Sequence, residues 1–118
     1  MSPESTIDVR REHGILQILV SDQELVGDDR IDQFVEEVAR WVDGETAPRI
    51  VLDLSRLQTV TSYLLGALVG IRNRVRSRHG QLRLAAVGPK IEQLLVVTHL
   101  VTLFEIHPTR EQAAASLG

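Results

Sequence analysis

The sequence predicts an α/β fold in which about four helices pack against a mixed, mostly parallel β-sheet of about four to five strands. Two observations lead to this prediction. Short apolar runs alternate with stretches whose apolar residues recur every three or four positions, which is the pattern of strands alternating with helices. The links between these segments are short, and strands joined through helices by short links usually pair in parallel. A length of 118 residues suits a single domain spanning 1–118, with a core at about 5–117.

The first half of the chain is predicted to form a β-hairpin, a helix and a buried strand. The hairpin strands are STIDVRREHG and ILQILVSD, which meet at a turn near His13. Helical spacing follows in DDRIDQFVEEVARWVDGE, with acidic residues in the first turn and Gly44 just past the end. The apolar positions of this helix are Ile31, Phe34, Val35, Val38, Trp41 and Val42. The run RIVLDLS, apolar from Ile50 to Leu54, predicts a central parallel strand covered on both faces.

The second half is predicted to continue the alternation. A helix begins within TVTSYLLGALVG and runs to a turn at His79-Gly80. Its apolar positions are Leu64, Leu65, Leu68, Ile71 and Val75. The segment QLRLAAVG then predicts a strand, PKIEQLLVVTHL a helix that begins at Pro89, VTLFEIHP a strand, and TREQAAASLG a last helix with capping-box spacing at its start. The predicted order is therefore strand, strand, helix, strand, helix, strand, helix, strand, helix.

Composition limits the classes of function. The chain has no cysteine, which excludes disulfides, thiol catalysis, thiolate zinc sites and iron–sulfur clusters. The formal net charge of -3 argues against a nucleic-acid-binding protein that relies on neutralising phosphates. The polar N-terminus lacks the apolar core of a signal peptide, and no apolar run approaches the roughly 20 residues that span a bilayer. We expect a cytoplasmic protein that does not bind nucleic acid directly and does not insert into a membrane.

Three hydroxyl side chains stand where the stretch TVTSYLLG passes into a helix, namely Thr59, Thr61 and Ser62. A Ser or Thr at this place commonly caps the helix and stabilises it by roughly 1 kcal/mol. The same place suits a phosphate, because unpaired backbone N–H groups and the positive end of the helix dipole lie there. A phosphate would add a charge of about -1.5 to -2 and so change the surface that a partner meets. The residues alone leave both interpretations open.

The segments IVLDLSRLQTVTSYLLGALVG and HGQLRLAAVGPKIEQLLVVTHLVTLFEIHPTREQAAASL resemble the sulfate-transporter and anti-sigma-factor-antagonist (STAS) domain family. In that family a buried strand ending in Asp-Leu-Ser leads through a short loop to a motif of the type Asp-Ser-Ser-Gly-Leu-Gly at a helix start. The resemblance covers about residues 5 to 117. It implies the STAS-like (SpoIIAA-like) form of the α/β fold.

In the anti-sigma-factor-antagonist branch of this family, a phosphoacceptor serine directly follows the motif aspartate. Ser62 matches that acceptor, and Leu65 and Gly66 match the closing Leu-Gly. Thr61 stands in place of the aspartate, and Tyr63 stands in place of the second serine. The resemblance therefore implies phosphorylation at Ser62, with Thr61 as an alternative acceptor.

Acidic residues surround the start of the first predicted helix. They are Asp22, Glu24, Asp28, Asp29 and Asp32. By themselves they indicate a solvated, well-capped helix start. In the STAS family this loop and the motif helix lie at the same end of the sheet and face a partner kinase or anti-sigma factor. The partner-binding residues that the resemblance implies are Asp22, Glu24, Asp28, Tyr63 and Gly66. An exposed Tyr63 would be an anchor, because aromatic residues are enriched at binding hot spots.

Other features are predicted to be structural. The arginines Arg72, Arg74, Arg76 and Arg78 indicate a solvated outer face of the second helix. The pair Gly66 and Gly70 is expected to let that helix sit close to the sheet. The four histidines are scattered one to a turn or loop without metal-ligand spacing, so no metal site is expected. No base, nucleophile and oxyanion group converge near Asp53 and Ser55, and we expect neither catalysis nor a cofactor.

The sequence thus predicts a regulatory binding module. We expect an anti-sigma-factor antagonist that captures an anti-sigma factor, a serine-threonine kinase of the histidine-kinase-like ATPase type, until phosphorylation of Ser62 ends the capture. One alternative is a non-phosphorylated STAS scaffold subunit of a stress-signalling or membrane-transport assembly. Another is a small-ligand or nucleotide sensor with a pocket at the strand ends. The loss of the motif aspartate at Thr61 favours the scaffold, whereas the retained Ser62 favours the switch.

Overall fold

The computed structural model describes residues 4–117, which form five strands and four helices in the predicted order. The strands are β1 (Ile7–Glu12), β2 (Ile15–Val20), β3 (Arg49–Asp53), β4 (Gln81–Ala85) and β5 (Glu105–His107). The helices are α1 (Asp28–Asp43), α2 (Ser62–Ser77), α3 (Pro89–Val97) and α4 (Arg110–Ala115). The predicted domain limits at residues 1 and 118 lie outside the described residues. Within 4–117, no helix combines the length and apolar character needed to cross a membrane.

The strands form one sheet in the order β1-β2-β3-β4-β5. β1 and β2 pair antiparallel, whereas β2, β3, β4 and β5 pair in parallel with their neighbours. At the turn between β1 and β2, His13 and Gly14 take positive φ angles of 54° and 76°. Two successive positive φ angles suit the twist of a tight hairpin. The predicted mixed, mostly parallel α/β fold is confirmed.

The main core lies between one face of the sheet and helices α1, α2 and α3. Its members include Ile18, Leu52 and Leu84 from the sheet, Phe34 from α1, Leu68 from α2 and Leu95 from α3. On the opposite face, a smaller cluster packs Ala113 and Leu117, at the C-terminal end of the chain, against Val51 and Ala85. Because successive residues of a strand point to opposite faces, β3 contributes side chains to both clusters. The predicted burial of β3 on both faces is confirmed.

The strand predicted over VTLFEIHP is shorter than expected. Leu100–Leu103 form a 3₁₀ turn, and only Glu105–His107 pair with β4. His99 takes a left-handed conformation with φ 62°, which turns the chain after α3. The apolar side chains at 100–103 then pack against the main core from the turn. Their apolar character therefore reflects packing against the core and not pairing in the sheet.

Two interpretations of helix faces are wrong. The side chain of Trp41 is 41% exposed, because Val38 and Val42 continue the buried stripe of α1 and leave Trp41 beside it. Gly66 and Gly70 are both exposed, and a Cβ atom at either position would meet no neighbouring atom within 4 Å. These glycines therefore do not bring α2 close to the sheet.

The arginines of α2 do not share one solvated face. Arg72 is half-buried, and its Nε donates to the carbonyl oxygen of Leu103 at 2.7 Å. Arg78, predicted on the helix, is the C-cap residue just after α2; it is also half-buried, and its Nη2 donates to the carbonyl oxygen of Glu45 at 2.8 Å. The solvated-face interpretation is wrong for these two residues, because their side chains reach back to neighbouring loops.

Candidate functional site

The loops that follow β2 and β3 lie side by side, because these strands are parallel neighbours and end at the same edge of the sheet. The backbone N–H of Gln58 donates to the carbonyl oxygen of Gln23 at 2.7 Å. Glu24 and Thr59 form an isolated parallel bridge one residue further along each loop. These contacts place the acidic loop beside the hydroxyl-rich stretch that opens α2.

The start of α2 separates the roles of its two hydroxyls. Thr61 is the N-cap residue, with extended backbone angles, and its Oγ1 accepts a hydrogen bond from Leu64 N at 3.1 Å. Ser62 is the first residue of the helix, and its side chain is exposed. Within residues 4–117, the Ser62 hydroxyl makes no hydrogen bond. The capping role therefore belongs to Thr61, and the hydroxyl of Ser62 is accessible to solvent.

Tyr63 links α2 to α1. Its hydroxyl donates to Asp32 Oδ1 at 2.5 Å, and 44% of the residue remains exposed. The hydrogen bond to Asp32, assisted by the charges of Asp28 and Asp29, raises the pKa of Tyr63 above its ordinary value. The tyrosine is thus a neutral, half-exposed aromatic ring beside an acidic helix start.

An open groove of about 620 Å³ runs between α1 and α2 beside Ser62. Its wall on α1 consists of Asp32, Val35 and Glu36, and its wall on α2 consists of Ser62, Tyr63, Gly66 and Ala67. The groove surface is mainly apolar, and its polar lining residues are Asp32, Glu36, Ser62 and Tyr63. The glycine at position 66 leaves the groove unobstructed, because a Cβ there would point into open space.

The predicted acidic residues have different surroundings. Asp22 is half-buried in an ion pair with Arg30, in which Arg30 Nε lies 2.9 Å from Oδ2 and Nη2 lies 3.0 Å from Oδ1. The pKa of Arg30 is raised, first through the hydrogen bond to Asp22 and then through its charge, although burial acts in the opposite direction. Glu24 and Asp28 are exposed. Asp22 therefore ties its loop to α1, while Glu24 and Asp28 face solvent.

Sequence reasoning missed Val35, Glu36 and Arg30 at this site. Val35 and Glu36 line the groove three and four positions after Asp32, so they share its face of α1. That spacing is a signal that could have identified them. Arg30 offered no comparable signal, because its partner Asp22 lies outside the helix.

The end of β3 is engaged in structural contacts. Asp53 is 4% exposed, and its Oδ1 accepts a hydrogen bond from Ser55 N at 2.9 Å. Its Oδ2 lies 3.4 Å from Nε of Arg110 at the start of α4. The carboxylate thus turns the chain after β3 and anchors α4 against the sheet.

Within the described part of the chain, no three His, Asp or Glu side chains are grouped so that they could hold a metal ion. His13, His79 and His99 occupy turns, where they adopt positive φ angles of 54° to 62°. His107 departs from the expected turn position, since it lies in β5 with its Nε2 3.3 Å from Glu105 Oε2.

Comparison with known proteins identifies sequence relatives of this chain. The sequence profile of the STAS domain matches residues 6–113. The "Putative anti-sigma factor antagonist BtrV" of Bordetella bronchiseptica is 30% identical to this chain over 95 residues, which cover 80% of each protein.

Solved structures share the fold. An anti-sigma-factor antagonist (STAS) domain protein from Planctomyces limnophilus superposes with a TM-score of 0.82 at 19% identity, covering 94% of this chain and 97% of that one. The unphosphorylated form of the anti-sigma factor antagonist SpoIIAA gives 0.75 at 16% identity and 92% coverage of both chains. The phosphorylated form of Bacillus SpoIIAA gives 0.71 at 16% identity, covering 95% of this chain and 99% of that one. The structural likeness establishes the SpoIIAA-like fold. The profile and the Bordetella relative show that this chain belongs to the STAS domain family, in its anti-sigma-factor-antagonist type.

Proposed function

We propose that this protein is a non-catalytic switch that binds an anti-sigma factor when unphosphorylated and releases it when Ser62 is phosphorylated. The partner is a serine-threonine kinase of the histidine-kinase-like ATPase type. The observation that carries the proposal is the exposed hydroxyl of Ser62 at the first position of α2, where Thr61 already caps the helix. A cytoplasmic location belongs to the same proposal, because such a kinase needs ATP. The names of the Bordetella relative and of SpoIIAA support this function.

Ser62 is the better acceptor of the two candidates. Thr61 is half-buried, and its Oγ1 is the acceptor of the capping hydrogen bond. Transfer of a phosphoryl group to Thr61 would disrupt the capping hydrogen bond at the start of α2, whereas transfer to Ser62 leaves that hydrogen bond in place. A threonine in place of the motif aspartate keeps the capping function, since both residue types are good N-caps.

A phosphate on Ser62 would gain local stabilisation without a large movement of α2. The backbone N–H groups of Ser62 and Tyr63 are the first two of α2. The next two are already used, because Leu64 N donates to the Thr61 side chain and Leu65 N donates to the Thr61 carbonyl oxygen. The first two N–H groups and the positive helix end therefore favour an added anion.

The partner-binding surface in this proposal is the α1–α2 groove and its edge. Tyr63 supplies a half-exposed aromatic anchor, and Gly66 leaves room for a side chain of the partner. Glu24 and Asp28 are exposed on the neighbouring loop and at the start of α1, and exposed charges steer association more than they add affinity. Asp22 acts indirectly, because its pairing with Arg30 holds the loop against α1.

Release follows from the chemistry of the groove. Phosphorylation would add a charge of about -1.5 to -2 at a position that borders apolar surface. A partner that covers this surface would have to desolvate the phosphate, which is costly without a dedicated counter-ion. The neighbouring carboxylates of Asp32 and Glu36 raise that cost, because they already make the groove edge negative.

The proposal is tested by intact-mass analysis after incubation with ATP and candidate kinases of this type from the same genome. The wild type should gain one phosphate, and Ser62→Ala should gain none. Thr61→Asn is the matched control, because it removes the second hydroxyl and keeps a capping side chain. Thr61→Asn should still be phosphorylated.

The scaffold function is the alternative that the same experiment separates. If a cognate kinase binds the wild type without transferring a phosphate, Ser62 is not a switch and the protein acts as a constitutive scaffold. If Ser62→Ala still gains a phosphate and Thr61→Asn does not, the acceptor is Thr61.

A further inference from the structure

A second groove, here called the arginine groove, lies between the C-terminal half of α2, the start of β4 and the 3₁₀ turn. It has a volume of about 460 Å³ and a mainly polar surface. Its polar side chains are Arg72, Arg76, Gln81, Arg83, Thr102 and Glu105. Arg72 lies ten positions after Ser62 on the same helix, or about 15 Å along the axis at 1.5 Å per residue. The arginine groove is therefore separate from the site described above.

Arg72 is held in position while lacking a counter-ion. Its Nε donates to the carbonyl oxygen of Leu103 at 2.7 Å, and its Nη1 donates to Asn73 Oδ1 at 3.1 Å. The side chain is half-buried, and within residues 4–117 no carboxylate pairs with it. A partly desolvated cation whose partners are all neutral retains attraction for an anion.

Arg76 lies one helical turn after Arg72 and lines the same groove. Like charges at this spacing face each other and destabilise a helix. Arg76 is exposed, and no carboxylate among the described residues pairs with it. The two arginines therefore concentrate positive charge on one wall of the groove at a cost to the helix.

The opposite wall carries one more arginine and one carboxylate. Arg83 contacts Glu105 and donates from Nε to Ser116 Oγ at 3.0 Å, so its side chain is also fixed. Glu105 is engaged by Arg83 and by His107. The residues that line the groove thus include three arginines and one carboxylate, and that carboxylate already pairs with Arg83, in a protein whose formal net charge is -3.

The end of α2 does not cancel this charge. A helix C-terminus carries only about half a negative charge, which is smaller than the charge of Arg72 and Arg76 together. Complementing that dipole would account for Arg76 in the last turn but not for the half-buried Arg72, which lies earlier in the helix.

We propose that the arginine groove binds a small molecule that carries a phosphate group. Guanidinium groups form planar forks that match phosphate oxygens, and Arg72 is preorganised by its hydrogen bond to the carbonyl oxygen of Leu103. Gln81 and Thr102 supply neutral hydrogen-bonding groups at the same groove. The site would give the protein a small-molecule input that does not depend on the phosphorylation of Ser62.

The test is an NMR titration of the ¹⁵N-labelled protein with sodium pyrophosphate and, separately, with ADP, at constant ionic strength. Both should cause saturable shifts that are largest at the amides around Gln81 and Thr102. Arg76→Gln should weaken the affinity by about tenfold or more, as expected for losing a hydrogen bond between charged groups. Arg40→Gln is the matched control, because Arg40 is an exposed arginine in the last turn of α1, and it should change the affinity less than twofold.

A further variant separates this site from a diffuse charge effect. Arg72→Lys keeps the charge but loses the fork, so it should weaken binding. Two outcomes would overturn the proposal: chemical shift changes that fail to saturate, or an affinity that falls as much in Arg40→Gln as in Arg76→Gln. Either result would show that the anion responds only to diffuse positive charge. Binding of pyrophosphate without binding of ADP would also contradict it, because a phosphate carried by an organic molecule would then be rejected.

Discussion

Replacing Thr61 by alanine should destabilise the protein, whereas replacing Ser62 by alanine should leave its stability nearly unchanged. The two hydroxyls are adjacent in sequence, but only Thr61 accepts the capping hydrogen bond, from Leu64 N at 3.1 Å. In Thr61→Ala that donor loses its protein partner at the first turn of α2. The comparison separates a capping role from an accessible acceptor without requiring a kinase.

The expected magnitudes follow from these contacts. Loss of a Ser or Thr N-cap costs about 1 kcal/mol, within a range of about 0.5–2 kcal/mol. The Ser62 side chain is exposed, so Ser62→Ala should change the free energy of unfolding by less than about 0.5 kcal/mol. Thr61→Asp retains a capping oxygen and should resemble the wild type more closely than Thr61→Ala does.

Urea denaturation followed by far-ultraviolet circular dichroism measures these differences. With a slope of about 2 kcal/mol per molar urea, a loss of 1 kcal/mol moves the midpoint down by about 0.5 M. A midpoint for Ser62→Ala that falls as far as that for Thr61→Ala would refute the reasoning, because the hydroxyl of Ser62 would then contribute to the helix cap.

Gly80→Ala should lower the free energy of unfolding by about 1–3 kcal/mol through overpacking, because a Cβ there would clash with the backbone carbonyl oxygen of Pro48. Gly66→Ala should not lower it, since a Cβ there meets no atom within 4 Å, and equal losses in thermal unfolding would contradict the packing argument. Burial raises the pKa of Glu37, but hydrogen bonds from the N-terminal segment outweigh burial and hold that pKa below its ordinary value. The wild type should therefore be more stable than Glu37→Gln above the ordinary pKa of glutamate, and this advantage should fall as the pH drops through the lower folded-state pKa; a difference independent of pH would contradict it. Asp32→Asn should lower the pKa of Tyr63 toward its ordinary value, measured by the ultraviolet absorbance of this single tyrosine, and an unchanged titration would show that the hydrogen bond is absent in solution.

The sequence by itself determined the element order, the mostly parallel sheet and the position of Ser62 at a helix start. These features depend on neighbours along the chain. Apolar periodicity distinguishes strands from helices, and a hydroxyl just before an apolar helical stretch marks the N-terminus of that helix. The buried run at Ile50 to Leu54 also determined that β3 is central, because only a strand covered on both faces is continuously apolar.

Only the tertiary structure decided which hydroxyl caps α2, because the sequence allowed either Thr61 or Ser62. It also decided that Asp22 is paired, and that Leu100–Leu103 form a turn instead of the start of a strand. The contacts that define the two grooves join distant parts of the chain. Tyr63 reaches Asp32 across 31 residues, and Arg72 reaches Leu103 across the same separation. Local periodicity carries no information about such pairs, because they form only when the helices and loops pack around the sheet.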